Sequence, residues 1–195
     1  YNAGNIEGVR YAAGVVGQLS NQVYPEIQLT TDIINCYNIG NLSGAPLFQA
    51  GILAYVWNNE GTQVNISNCY NAGSLEETTQ ATGGILNNNG ALSVENISYV
   101  YNLYKLTSQY GICGQSGVLT LANYCYNVDD RMFKNEPVTK TNLGIIDSSQ
   151  NLTPGVTING QTHTTLLSAL NAWVNANKGT YPELKNWVMG TDGYP

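Results

Sequence analysis

The chain has 195 residues, of which only 10% are charged, and seven Lys and Arg stand against thirteen Asp and Glu for a net charge of −6. The few positive residues are scattered, which excludes the clustered basic face that nucleic acids and anionic membranes require. No run of about eighteen apolar residues is present to span a bilayer. Asn, Thr, Ser, Gln and Gly carry most of the polarity, which excludes a helix bundle and suits strands and tight turns.

The first residues, "YNAGNI" from Tyr1, recur in altered form along the chain: "NCYNIGNL" from Asn35, "NCYNAGSL" from Asn68, "YVYNLYKL" from Tyr99 and "YCYNVDDR" from Tyr124. Tyr-Asn therefore falls at Tyr1, Tyr37, Tyr70, Tyr101 and Tyr126, at intervals of 36, 33, 31 and 25 residues. A second motif follows each copy: "AGVVG" at Ala13, "AGILA" at Ala50, "GGILN" at Gly83, "YGICG" at Tyr110 and "LGIID" at Leu143. The chain opens within the first motif, so it reads as a piece of a longer protein. The segments "TQVNISNCYN" and "ALSVENISYVYN" have the β-branched, partly alternating pattern of strands. Their variable period fits short strands joined by turns that absorb the length differences.

Aligned on Tyr, the copies define columns. One residue before it lie Cys36, Cys69, Val100 and Cys125; four before lie Ile33, Ile66, Ile97 and Ala122; five after lie Ile6, Leu42, Leu75, Leu106 and then Arg131. After the Gly of the second motif lie Val15, Ile52, Ile85, Ile112 and Ile145. These columns are apolar enough to bury on one another. The residue after Tyr is always Asn (Asn2, Asn38, Asn71, Asn102, Asn127), which predicts a hydrogen-bonded ladder of amides. The columns predict an all-β chain, a right-handed parallel β-helix (β-solenoid) of about five coils over residues 1–147. Residues 148–195 are expected to form a small α-containing cap.

The alternation of "NCYNxG" with "GGI" or "GIxG" resembles the GLUG-motif repeat regions of large secreted or surface proteins of bacteria, many of them gut anaerobes. The resemblance covers roughly residues 1–147 and implies a right-handed parallel β-helix with a surface or adhesion role. It carries no catalytic residues. Tyr104 and Asp129 stand where the earlier copies have a turn Gly, so the last two copies depart from the pattern.

Within the C-terminal region, Leu166, Leu167, Leu170, Trp173 and Val174 have helical spacing. Thr164 or Thr165 is suited to its start and Gly179 to its end, after a loop from Asp147 to Gln161. This helix is expected to cover the unpaired strand edge at the end of the stack.

Four cysteines lie 33, 44 and 12 residues apart without a CxxC pair, and the single His163 is remote from them, so no metal site is expected. Cys36, Cys69 and Cys125 read as core filling, with a Cys36–Cys69 disulfide as the alternative. "VDDR" at Val128 reads as a surface turn rather than a catalytic or calcium site, since sequence-adjacent carboxylates in a strand point to opposite faces. No nucleophile or phosphate-binding motif is present, so no cofactor and no catalytic residue is expected. The aromatic residues off the Tyr column, Tyr55, Trp57, Tyr104 and Tyr110, are the candidate ligand contacts, because exposed rings bind sugar faces and protein surfaces.

The sequence thus points to a non-enzymatic, monomeric module of a bacterial cell-surface or secreted protein that adheres to a host or matrix glycan or protein. A β-helix polysaccharide lyase or hydrolase and a purely structural spacer are the alternatives.

Overall fold

The computed structural model describes residues 1–20, 29–44, 47–57, 62–77, 81–87, 94–115 and 118–195. The first three residues of "ALSVENISYVYN" lie outside the described part. In chain order the strands are β1 (Ile6–Glu7), β2 (Tyr11–Ala13), β3 (Leu19–Ser20), β4 (Leu29–Ile34), β5 (Tyr37–Asn38), β6 (Leu42–Ser43), β7 (Phe48–Ala50) and β8 (Val56–Trp57). They continue with β9 (Thr62–Asn71), β10 (Ala81–Gly83), β11 (Val94–Asn102), β12 (Val118–Asn127), β13 (Thr139–Thr141), β14 (Gly144–Ile146), β15 (Asn151–Ile158) and β16 (Gln161–Thr165), and one helix, α1 (Leu166–Asn177), follows.

The columns pair in register. Tyr37 lies level with Tyr70, Tyr70 with Tyr101 and Tyr101 with Tyr126, and Ile33, Ile66, Ile97 and Ala122 form a second level row. The Asn residues bond one to the next: Asn2 Nδ2 donates to Asn38 Oδ1 at 2.8 Å, Asn38 to Asn71 at 2.8 Å, Asn71 to Asn102 at 3.0 Å and Asn102 to Asn127 at 2.8 Å. The Gly of the second motif makes room for this row. A Cβ added to Gly84 would lie 1.9 Å from the Gly111 carbonyl oxygen and 2.4 Å from Asn102 Cγ, and Gly51 stands in the same relation to Asn71. The two motifs therefore recur together because the amide of one copy rests on the glycine of the copy before it.

The fold departs from the expected regular right-handed parallel β-helix. The long sheet is mixed, running in the order β16-β15-β14-β12-β11-β9-β4, parallel from β4 to β14 and antiparallel through β15 and β16. It curls as an open half-barrel, and the remaining strands form small parallel sheets, β1-β6, β2-β7-β10 and β3-β8. One reason lies in the fifth "Gly-Ile". Gly144 does not join the glycine column; it pairs with Tyr126, and Ile145 pairs with Asn127 at the end of the long sheet. The glycine column instead ends on "RMF", where Gly111 N–H and Ile112 N–H donate to the carbonyls of Arg131 and Met132, and Phe133 bridges to Cys113. The last copy is too short to return to both columns, so its strand leaves the stack and reverses into β15.

The residues 147–161 expected as a loop thus contain β15, which closes the edge of β14. The helix is not an end cap either. It lies against the face of the long sheet, where Leu166, Leu170, Trp173 and Val174 bury Tyr70, Tyr101 and Tyr126. The other face carries Ile33, Ile66, Ile97, Cys69 and Cys125 into a second core with Ile52, Ile85 and Ile112. One local feature lets consecutive residues serve both cores. Two residues before each Tyr the backbone turns left-handed, at Asn35 (φ 55), Asn68 (φ 54), Tyr99 (φ 52) and Tyr124 (φ 50). Asn adopts this conformation more readily than most residues. Asn68 Nδ2 then donates to the Leu170 carbonyl at 3.3 Å and to Asn35 Oδ1 at 2.8 Å, while Trp187 Nε1 donates to the same Asn35 oxygen at 2.7 Å.

The loop of the third copy is tied to that of the fourth by Glu77. Partial burial alone would raise its pKa, but the N–H and hydroxyl groups of Thr107 and Ser108 all donate to the carboxylate and bring it down to about 2. Because the folded-state value lies below the unfolded one, the stabilisation is present above the ordinary Glu range and fades as pH falls toward 2. In urea titrations the wild type is expected to lose stability between pH 5 and about pH 2 by more than Glu77→Gln does. Asn71→Leu is expected to cost about 2–4 kcal/mol, by stranding the partners of a buried amide, and Cys125→Val less than about 1.5 kcal/mol. Gly84→Ala is expected to cost about 3 kcal/mol or more through the overpacking its methyl would cause, whereas Gly179→Ala, which meets nothing within 4 Å, is expected to be near neutral.

Candidate ligand-binding groove

Beyond the left-handed turn, the outward side chains of β4, β9, β11 and β12 form two polar rows beside the helix. Five residues before each Tyr stand Asp32, Asn65, Asn96 and then Leu121, paired in register. Asn96 Nδ2 donates to Asn65 Oδ1 at 3.0 Å, and Asn65 Nδ2 donates to Asp32 Oδ1 at 2.7 Å. Three residues before each Tyr stand Ile34, Ser67, Ser98 and Asn123. The Ser67 and Ser98 hydroxyls share a hydrogen bond of 2.8 Å. Asn123 Oδ1 accepts from Thr141 Oγ1 at 2.8 Å and from Asn142 Nδ2 at 3.0 Å.

The opposite wall comes from the C-terminal segment. Trp173 and Asn177 of α1 and Tyr181 beyond it face the rows, and the Trp173 and Tyr181 rings stack at 6.4 Å with 17° between their planes. Between floor and wall runs an open groove of about 470 Å³. Each amide in the floor uses one N–H along its row and keeps a second for a ligand, while the Ser hydroxyls both donate and accept. Asp32 supplies the only carboxylate among the described lining residues, and no cation lines it. The chemistry on offer is neutral hydrogen bonding beside an aromatic edge.

The four aromatics singled out in the sequence lie elsewhere and are not gathered into one site. Tyr55 stacks on Tyr11 at 4.6 Å and on Phe48 at 5.1 Å and is only 8% exposed. Trp57 leans on Tyr55 at 5.9 Å and is 36% exposed. Tyr104 is half-buried against the row of Leu42, Leu75 and Leu106. Tyr110 borders a separate cleft of about 290 Å³ with Asp130, Phe133 and Glu136. Of the "VDDR" turn, Asp129 accepts from Asn127 Nδ2 at 2.8 Å and pairs with Arg131 at 3.4 Å, and the Arg131 guanidinium donates to the Leu106 and Thr107 carbonyls at 2.7 and 2.6 Å. This turn closes the end of the leucine row. His163 Nδ1 lies 2.7 Å from Ser168 Oγ on the exposed side of the helix start. The Cys column lies in the core, with Cys69, Val100 and Cys125 level and fully buried and Cys36 half-buried at its end.

No protein-family model, no curated protein and no solved structure matches the chain.

The groove residues carry a sequence signal of their own. Asp32, Asn65 and Asn96 recur at one offset from Tyr, and Ser67 and Ser98 at another, both polar columns between apolar ones. What the sequence does not contain is their juxtaposition with Trp173 and Tyr181. Because the groove is open to water, Asn65→Ala is expected to cost less than about 1 kcal/mol of stability, far less than Asn71→Leu. Equal losses for the two would mean that the outer row is part of the structural framework.

Proposed function

We propose that this chain is a non-enzymatic binding module of a larger secreted or cell-surface bacterial protein, and that its groove takes a neutral glycan of the host or matrix. The observation that carries the reading is the pairing of two in-register rows of Asn and Ser side chains with the Trp173–Tyr181 wall. Sugar hydroxyls match the mixed donor and acceptor capacity of amides and hydroxyls, and the apolar faces of pyranose rings pack on aromatic side chains. An anionic polymer would meet Asp32 and no cation in the lining, which disfavours it. The lyase or hydrolase alternative has less support in this groove, since acid–base cleavage of glycosides uses two carboxylates about 5–10 Å apart.

A neutral-glycan panel read by calorimetry tests the proposal. The wild type is expected to bind at least one member, and Tyr181→Ala or the double variant Asn65→Ala/Asn96→Ala to weaken that binding about tenfold or more, the loss of a few hydrogen bonds or one ring contact. Binding abolished by Trp57→Ala but untouched by the groove variants would move the site to the Tyr11–Phe48–Tyr55 stack. No binding to any glycan would leave the spacer role as the better reading.

A further inference from the structure

Among the described residues, Cys36 and Cys69 are the one pair of cysteines on neighbouring strands of a single column. Ile33 pairs with Ile66 and Tyr37 with Tyr70, so the register brings the two cysteines level. The Cys36 N–H donates to Cys69 Sγ at 3.4 Å. Neighbouring strands lie about 4.8 Å apart, inside the roughly 4.4–6.8 Å that a disulfide spans between α-carbons. Val100 separates Cys69 from Cys125, and Cys113 belongs to another column, between Leu86 and Phe133. All four cysteines are free thiols.

We propose that Cys36 and Cys69 form a thiol–disulfide exchange site that reacts with a small-molecule disulfide, such as glutathione disulfide, and closes into an intramolecular bond. Their unequal surroundings assign the two roles. Cys36 is half-buried and reachable from solvent, whereas Cys69 is fully buried. The hydrogen bond from the Cys69 thiol draws the Cys36 pKa down to about 7, against the opposing effect of its own partial burial. Burial in turn holds the Cys69 thiol well above its ordinary range. The proton of the pair therefore stays on Cys69, and Cys36 is the attacking thiolate.

In the first step the Cys36 thiolate attacks one sulfur of the small disulfide, forming a mixed disulfide and releasing one small thiolate. In the second, Cys69 gives up its proton and attacks the Cys36 sulfur, releasing the other small thiolate. Two protein thiols are oxidised to one disulfide, one small disulfide is reduced to two thiols, and the protons lost by the cysteines pass to the released thiolates. The new bond joins residues 33 positions apart and locks β4 to β9.

The test equilibrates the full chain in reduced and oxidised glutathione buffers, alkylates the remaining thiols and maps the peptides by mass spectrometry. The oxidised chain is expected to lose the mass of two hydrogens, to yield a cross-linked peptide containing Cys36 and Cys69, and to keep Cys113 and Cys125 alkylated. Its melting temperature is expected to rise by about 5–10 °C over the reduced form. Cys36→Ser is expected to abolish both the bridge and the rise, and Cys69→Ser to leave glutathione attached to Cys36. Four alkylated thiols in excess glutathione disulfide, a glutathione adduct that persists on wild-type Cys36, or a bridge between any other pair would overturn the proposal. The peptide map of the wild type decides the matter even where a variant fails to fold.

Discussion

The structure depends on a buried row of amides. Asn38, Asn71, Asn102 and Asn127 are all buried, a position in which an unpaired amide is costly. Each Nδ2 spends one hydrogen on the next Asn and the other on a carbonyl two residues along its own chain, as in Asn38 to Gly40 at 3.0 Å and Asn71 to Gly73 at 3.2 Å. The row is satisfied only when every copy is in register. A slip of one residue would place Tyr or Ile where an amide is required and strand the amides on either side. The amides also set the spacing to the second motif, because only glycine leaves room where Gly51 and Gly84 lie against Asn71 and Asn102.

From that register two cores follow. The left-handed residue before each Cys-Tyr pair turns the strand, so Cys69 enters one core while Tyr70 enters the other. A chain with cores on both sides of one sheet needs a second layer, and the C-terminal segment supplies it. Its docking is specific as well as apolar: Asn68 and Asn35, freed by the left-handed turn to point outward, bond to the Leu170 carbonyl and to Trp187. The groove is the remainder of that outer face, where the polar rows run on past the region the helix covers.

The chain tolerates imperfect copies because each departure brings its own replacement contact. Asp129, in place of a turn glycine, accepts from Asn127 and from Arg131; Arg131, in place of a leucine, closes the leucine row by donating to its last carbonyls. Where no replacement exists, at the fifth glycine, the chain changes course and the sheet becomes mixed.

Recurrence at fixed offsets made the level rows of Tyr, Asn, Cys and Ile legible in the sequence, since in-register strands must place like beside like. The apolar stripe from Leu166 to Val174 likewise marked the helix, whose bounds are Leu166–Asn177. The closure of the fold was not legible. Gly144 matches its motif as well as Gly84 does, yet it pairs with Tyr126, because the short fifth interval changes which strand it can reach. The face on which the helix lies was hidden for a similar reason: an apolar stripe specifies that it must be buried, but not against what. Local pattern determined the rows and the elements. Only the tertiary structure decided that the rows curl into an open, mixed sheet, that the Tyr column is covered by the helix, and that Asp32, Asn65 and Ser67 face Trp173 and Tyr181 across a groove. Those contacts join residues more than a hundred positions apart, and they depend on loop lengths and packing rather than on any local motif.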